Sequence, residues 1–207
     1  MAFLRHAPIH RPTHFGALGA AALVCALLVA LAPRGSAASE VGEYEIKAAF
    51  LYNFALYVEW PQNGAPDAGT FVIGVLGEDP FGPILDRIAH NKTVNGKKIV
   101  IKRFDTIEDY TPCHILFIAA SEADRLAAIL KTLNDAPVLT VGDTTGFGQE
   151  GVIINLYVEQ GKVRFKINLA AAQRVGLTIS SKLLRLATIV RTTEEGDTDA
   201  PVSRSTD

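Results

Sequence analysis

The sequence predicts an α/β fold: an open, mainly parallel sheet of about four strands with an added antiparallel hairpin, and helices on both faces. Continuous apolar runs at 71–77, 113–120 and 138–142 suit central parallel strands that are covered on both sides. Helical segments lie between these runs, an alternation that is typical of right-handed βαβ units. Two later strands, 152–159 and 162–169, are separated by two residues with glycine second, which fits a tight hairpin.

The first element of this domain is a helix at 44–58 that is apolar on most sides. Only Glu45, Lys47 and Asn53 interrupt its apolar residues, and Pro61 ends it because the residue before proline avoids helical backbone angles. A helix of this composition is expected to be buried on several faces, in the core, against a partner, or both.

The connecting elements follow from the same patterns. Helices at 83–89 and 122–133 join the strands, and a shorter, more polar strand at 99–104 is expected nearer a sheet edge. The second hairpin strand alternates apolar with polar residues, so one of its sides is predicted to face solvent as an edge. That polar side consists of Lys162, Arg164, Lys166 and Asn168.

Two short helices are predicted after the hairpin. Asn168 is placed to cap a helix at 169–175, and Gly176 is placed to end it. Ser180 is placed to cap a last helix that extends through residue 189.

Residues 1–38 have the three parts of a secretory signal: a basic start, an uncharged apolar run at 15–32, and small residues at the exit. We expect export to the periplasm and cleavage near Ala37 or Ala38, with an uncleaved N-terminal anchor as the alternative. The folded domain is then 43–191, and the polar tail at 192–207 is predicted to be disordered.

The mature chain carries too little positive charge for a nucleic-acid-binding protein. Removing residues 1–38 leaves 17 basic and 22 acidic residues, a net charge of −5, whereas nucleic-acid binders normally show a basic balance. Cys25 lies within the signal, so Cys113 is the one cysteine of the mature chain and no internal disulfide is expected. Because Cys113 begins an apolar run, we expect a buried core thiol.

No pattern in the sequence predicts catalysis, a metal or a cofactor. Gly146, Gly148 and Gly151 have the dinucleotide-binding spacing, but they lead into a strand, whereas that motif follows a strand and opens a helix. The mature chain has only two histidines, His90 and His114, without metal-ligand spacing or a nucleophile motif. We therefore expect a protein that is not an enzyme, with an uncharacterised hydrolase as the alternative.

Two sets of residues are candidates for binding. Ligands of open parallel sheets gather at the carboxyl ends of the strands, and the polar residues there are Asp79, Ser121 and Asp143. Tryptophan is enriched at binding hot spots, so Trp60 is a candidate for partner contact, with core packing as the alternative. The basic side of the second hairpin strand is a second candidate, with a solvated sheet edge as the alternative. The predicted partner-contact residues are Phe50, Tyr57, Trp60, Arg164 and Arg174.

From about residue 43 to residue 190 the chain resembles the YfiR family of exported bacterial proteins. Each matching block is weak alone, but their order and their coverage of nearly the whole mature chain make the match specific. The blocks are IKAAFLYNFALYVEWP at 46–61, VIGVLGEDPFG at 72–82, CHILFIAAS at 113–121, LTVGDTTGFG at 139–148 and, as the strongest, 151–187, which contains VRFKINLAAAQRVGLTISSKLLRLA.

The resemblance implies a dimeric periplasmic regulator that works by binding. The best understood member of the family represses a membrane-bound diguanylate cyclase by binding its periplasmic domain, which keeps cyclic-di-GMP and biofilm formation low. An outer-membrane lipoprotein can sequester that member. Its paired cysteines have no counterpart here, so redox control through an internal disulfide is not carried over. The alternative is a small-molecule-binding sensor module for another membrane receptor or kinase.

Overall fold

The computed structural model describes residues 36–61 and 69–190, with side chains from residue 42 onward. The described residues fall into two units that divide after Ser39. The predicted signal, apart from its last three residues, and the predicted tail at 192–207 lie outside the described residues. None of the helices in the described part is long and apolar enough to cross a membrane.

Helices and strands alternate along the described chain, as predicted. The helices are α1 (Ser36–Tyr57), α2 (Pro83–Asn91), α3 (Leu126–Thr132), α4 (Leu169–Arg174) and α5 (Ser181–Leu184), with 3-10 turns at Ile107–Asp109 and Ala120–Arg125. The strands are β1 (Val58–Glu59), β2 (Thr70–Leu76), β3 (Thr93–Val94), β4 (Lys97–Phe104), β5 (Ile115–Ile118), β6 (Leu139–Gly142), β7 (Ile154–Glu159), β8 (Lys162–Asn168), β9 (Thr178–Ile179) and β10 (Thr188–Val190).

The main sheet has the order β10-β8-β7-β6-β5-β2-β4-β3. Strands β4, β2, β5, β6 and β7 run parallel to one another, and β7 and β8 form an antiparallel hairpin. The mainly parallel sheet with an added hairpin is therefore confirmed, and the described sheet has eight strands. The chain reverses direction across the sheet at β2, which has β4 on one side and β5 on the other.

The core lies on both faces of this sheet. On one face Phe71, Ile73 and Val75 of β2 pack with α1 and α2, and on the other face Val72 and Leu76 pack with α3. Helices on both faces are thereby confirmed. Gly74 of β2 leaves room for close packing, because a Cβ there would lie 2.9 Å from the Phe104 ring.

The hairpin turn has the predicted chemistry. Gln160 and Gly161 have φ angles of 51° and 72°, and two successive positive φ angles define the type I′ turn, whose twist matches that of the flanking strands. The Asn168 side chain caps α4 by accepting a hydrogen bond from the Ala171 amide at 2.9 Å. Gly176, at φ 74°, follows the helix end.

Three expectations at the end of the domain are wrong. Asn168 is fully buried and not solvent-facing, because its amide also donates to the Gly148 carbonyl. The last helix ends at Leu184 and does not reach residue 189. Instead, Thr188–Val190 pairs in parallel with Lys166–Asn168 of β8, so this half of β8 is not a sheet edge. β-Branched residues at 188–190 favour this extended conformation.

Candidate functional site

The predicted ligand-site residues lie at the carboxyl ends of the parallel strands. Strands β2, β5 and β6 end at Leu76, Ile118 and Gly142, and the segments that follow them carry Asp79, Ser121 and Asp143. This edge includes the point where the strand order reverses, which is the usual position of a ligand crevice in such sheets.

Side chains from α1 occupy this edge at Asp143. Lys47 donates to Asp143 Oδ2 at 2.6 Å, and the Tyr44 hydroxyl donates to the same oxygen at 2.9 Å. Lys47 also forms an ion pair with Glu43 at 2.6 Å. Only 5% of the Lys47 side chain and 6% of the Asp143 side chain are exposed. A buried charge requires such partners, so this ion pair anchors α1 at the sheet edge.

The other two residues are also held by protein groups. Asp79 accepts hydrogen bonds from Arg103 Nε at 2.7 Å and from the Phe81 amide at 2.8 Å. Ser121 Oγ accepts from the Glu78 amide at 3.0 Å. Gly77, at φ 85°, lies so close to this loop that a Cβ there would come within 2.8 Å of Glu122 Cγ. The chain itself therefore fills the crevice, and a ligand at these residues would have to displace Lys47 or Arg103.

Trp60 lies at the opposite end of the sheet, where β5 begins. Its indole Nε1 donates to the His114 carbonyl at 3.0 Å, and its ring packs against Phe71 with centroids 5.3 Å apart. His114 Nδ1 accepts a hydrogen bond from the Val72 amide at 3.1 Å. Burial and, to a smaller extent, the Lys97 charge lower the pKa of His114 to about 4. Trp60 is thus partly engaged in packing.

The five predicted partner-contact residues do not form one cluster. Phe50 packs against Phe165 of β8, with centroids 5.4 Å apart, which places it beside the strand that carries Arg164. Arg164 forms an ion pair with Glu159 at 2.9 Å. Arg174 instead lines a groove of about 800 Å³ between α3, the 149–151 turn and α4.

The outward side of α1 was predicted only in part, through Phe50 and Tyr57. Its inward side is buried in the core through Ala48, Leu51, Phe54 and Ala55, whereas much of its outward side is exposed in the single chain, so burial of that side against a partner stays a prediction. We define the α1 outer face as Ile46, Ala49, Phe50, Asn53, Leu56 and Tyr57. The exposed fractions of Ile46, Leu56 and Tyr57 are 49%, 39% and 40%. The regular three- and four-residue spacing of this set is the signal that could have revealed it.

The remaining candidates for chemistry are buried or dispersed. Cys113 is a buried free thiol, as predicted, and burial raises its pKa to about 12, which suppresses the reactive thiolate. Across residues 36–61 and 69–190, no group of three or more His, Cys, Asp or Glu side chains is placed to hold a metal ion.

Comparisons with known proteins give one family match. A family model described as YfiR/HmsC-like matches residues 44–188. Among solved structures, a conserved domain protein from Vibrio cholerae is 16% identical with a TM-score of 0.49, and the match covers 70% of this chain and 59% of that chain. The ABC domain in complex with L-Trp from Streptococcus pneumonia is 11% identical with a TM-score of 0.44, covering 58% and 55%. This chain thus spans less than two thirds of either structure. No curated protein gives a significant match.

Lys47→Met tests the anchor of α1. We expect it to lower the free energy of unfolding by about 3 kcal/mol, because it leaves the Asp143 charge buried without its cationic partner. Asp143→Asn in the same chain should recover part of this loss in urea unfolding. Arg87→Met is the matched control, since its ion pair with Glu45 is more than half exposed and should change stability by under about 0.5 kcal/mol. Strictly additive effects of Lys47→Met and Asp143→Asn would show that the pair does not anchor the helix.

The lowered pKa of His114 predicts that the folded protein loses stability in acid. Its folded pKa of about 4 lies below the unfolded value of 6.5, so the unfolded chain binds the proton first as the pH falls. Between pH 6.5 and pH 4 this histidine should reduce the free energy of unfolding by about 1.4 kcal/mol per pH unit, up to about 3 kcal/mol. Chemical denaturation across this range should show a shallower pH dependence for His114→Asn than for wild type. The exposed His90→Asn serves as control, and equal slopes for wild type and His114→Asn would contradict the assignment.

Proposed function

The chain belongs to the YfiR/HmsC-like family, and on this premise we propose that it is an exported regulator that binds the periplasmic part of a membrane signalling protein. The proposed target is a diguanylate cyclase, whose repression lowers cyclic-di-GMP signalling and biofilm formation. The family match over residues 44–188 is the observation that carries the proposal. The signal-like pattern at 1–38 supports periplasmic localisation.

Repression of this kind requires only binding. A bound protein shifts its target between two states by the difference of its affinities for them, and no chemical step is involved. The described polar side chains at the sheet edge are consistent with such a role, because Asp79 and Asp143 are held in internal ion pairs. In this proposal the protein acts through its outer surface.

The proposed contact surface for the cyclase is centred on the α1 outer face. It includes Phe50 and Tyr57, with Arg164 on the neighbouring hairpin, and Trp60 at the end of the helix. Arg174 lines the groove, so in this proposal it would contact the cyclase only at the border of the contact surface. An exposed apolar surface rimmed by polar residues is typical of a protein-binding site. By the same family resemblance, we propose an outer-membrane lipoprotein as a competing partner.

The groove favours a second candidate function. A volume of about 800 Å³ lies within the usual range of small-molecule sites, so the protein would be a ligand-binding sensor module for another membrane receptor or kinase. Thermal shift of the purified protein with a panel of nucleotides and amino acids tests this candidate. A ligand should raise the unfolding temperature of wild type, and it should raise that of Arg174→Ala by a smaller amount. An unfolding temperature that no compound of the panel changes would refute this candidate function.

Deletion of the gene tests the regulatory proposal. Cellular cyclic-di-GMP should rise in the deletion strain and fall again when wild type is restored. Tyr57→Asp should fail to restore repression, because it places a charge on the proposed contact surface. Val100→Asp is the matched control, since Val100 is an exposed apolar residue of β4 whose neighbours Ile99 and Ile101 face the α1 side of the sheet.

Binding itself is measured with the same variants. Immobilised wild type and Val100→Asp should retain a membrane protein with a cytoplasmic cyclase domain from detergent-solubilised membranes, and Tyr57→Asp should not. Unchanged cyclic-di-GMP on deletion, together with recovery of no cyclase, kinase or receptor, would refute the proposed function.

A further inference from the structure

Strand β4 is an open edge of the main sheet beyond its first two residues. On one side it pairs with β2 through residues 98–104, and on the other side β3 pairs only with Lys97 and Lys98. Because β3 is the last strand in the order of the described sheet, no described strand pairs with residues 99–104 on that side. An unpaired strand edge of this kind can accept a further strand from another chain.

The backbone groups that point out from this edge are those of Ile101 and Arg103. The Gly77 amide donates to the Phe104 carbonyl at 2.9 Å, so the backbone of Phe104 faces β2. Successive residues of a strand turn their amide and carbonyl groups to opposite sides. Ile101 and Arg103 therefore face away from β2, and each offers one donor and one acceptor to an added strand.

Three side chains flank these backbone groups: Lys98, Val100 and Lys102. They alternate along β4 and share the face of the sheet opposite α1. Val100 is 37% exposed, and among the described residues neither lysine forms an ion pair with Asp or Glu. We define the β4 outer edge as these three side chains together with the backbone of Ile101 and Arg103.

We propose that the β4 outer edge binds an extended acidic segment of another protein as an added strand. The backbone of this segment bonds to Ile101 and Arg103, and every second side chain lies opposite one of the three flanking side chains. Carboxylates face Lys98 and Lys102, and an apolar side chain faces Val100. The recognised pattern is thus acidic–x–apolar–x–acidic, which is the same in either strand direction.

The two lysines disfavour a second copy of β4 as the occupant. Antiparallel pairing about Val100 would set Lys98 opposite Lys102, and parallel pairing in register would set each lysine opposite its own counterpart. Like charges directly opposite each other destabilise a strand pair, and edge lysines are one means by which proteins prevent such pairing. Repulsion alone does not require the exposed Val100 between them, whereas an acidic segment uses all three side chains.

This edge lies apart from the proposed cyclase contact. Strands β2, β5 and β6 separate β4 from the β7–β8 hairpin, and Val100 lies on the face of the sheet opposite α1. Binding at β4 therefore does not rest on the proposed function. Val100→Asp should weaken binding of the acidic segment and still retain the cyclase, so failure of one proposal can be told from failure of the other.

NMR of isotope-labelled protein, purified from cells expressing the full chain and titrated with the capped peptide TETVTET, tests the proposal. The amide resonances of Ile101 and Arg103 should shift, and their hydrogen exchange should slow by about ten-fold or more at saturation, because both amides become bonded to the added strand. The amides of Val100 and Lys102, which face β2, should keep their exchange rates. The charge-reversed peptide TKTVTKT is the matched control and should bind about ten-fold more weakly or worse.

Charge reversal in the protein is the second test. The double variant Lys98→Glu/Lys102→Glu should lose affinity for TETVTET and gain affinity for TKTVTKT, each by about ten-fold or more, because opposite charges then meet again. Lys98 is exposed and Lys102 makes an exposed hydrogen bond to Thr111, so circular dichroism should show an intact fold. Lys162→Glu, at an exposed position of β8, is the matched control and should leave binding unchanged.

Three results would overturn the proposal. The first is the absence of shifts at Ile101 and Arg103 up to millimolar TETVTET. The second is shifts without slowed exchange of these two amides, since the peptide would then be held by charge and not paired as a strand. The third is equal affinity of wild type for the two peptides.

Discussion

The ion pair between Lys47 and Asp143 is the constraint on which the arrangement of this domain depends. It joins the first described helix to a loop 96 residues away at the carboxyl edge of the sheet. A buried lysine must keep its anionic partner, so the pair fixes both the position of α1 along the sheet and its rotation. Once Lys47 points inward, Ala48, Leu51, Phe54 and Ala55 follow it into the core, and the side of α1 that contains Asn53 must face solvent.

The Lys47–Asp143 pair also fills part of the sheet edge where a ligand would normally bind. In an open parallel sheet the crevice at the strand reversal is normally free for a ligand. Here Lys47 and Tyr44 satisfy Asp143, Arg103 satisfies Asp79, and Gly77 allows the β2 loop to pack directly on the β5 loop. The polar groups that would recognise a small molecule are thereby turned into contacts that stabilise the fold, which leaves α1, the hairpin, the groove and the β4 outer edge as the candidate binding surfaces.

The local sequence pattern was sufficient to predict most helices and strands, but it was insufficient to predict which side of α1 faces the core. The strands at 71–77 and 113–120 are continuous apolar runs, and the 160–161 turn has its own backbone chemistry, so each could be predicted without tertiary information. Strand β10 could not, because three residues become a strand only through pairing with β8. The rotation of α1 about its axis could not be predicted from local sequence either. Its two sides are both apolar in sequence, and the choice between them is made by Asp143, which lies far along the chain.

The exposed apolar side chains of α1 require a reason outside the monomer. Ile46, Leu56 and Tyr57 remain 49%, 39% and 40% exposed in the folded chain, so a large part of their apolar area does not contribute to its stability. A polar residue is tolerated at the centre of the same face, as Asn53 demonstrates, so the fold does not demand apolar residues there. Keeping them exposed carries a risk of aggregation that surface helices normally avoid through charge. An apolar face of this kind is explained when a partner protein covers it, which is the role proposed for the α1 outer face.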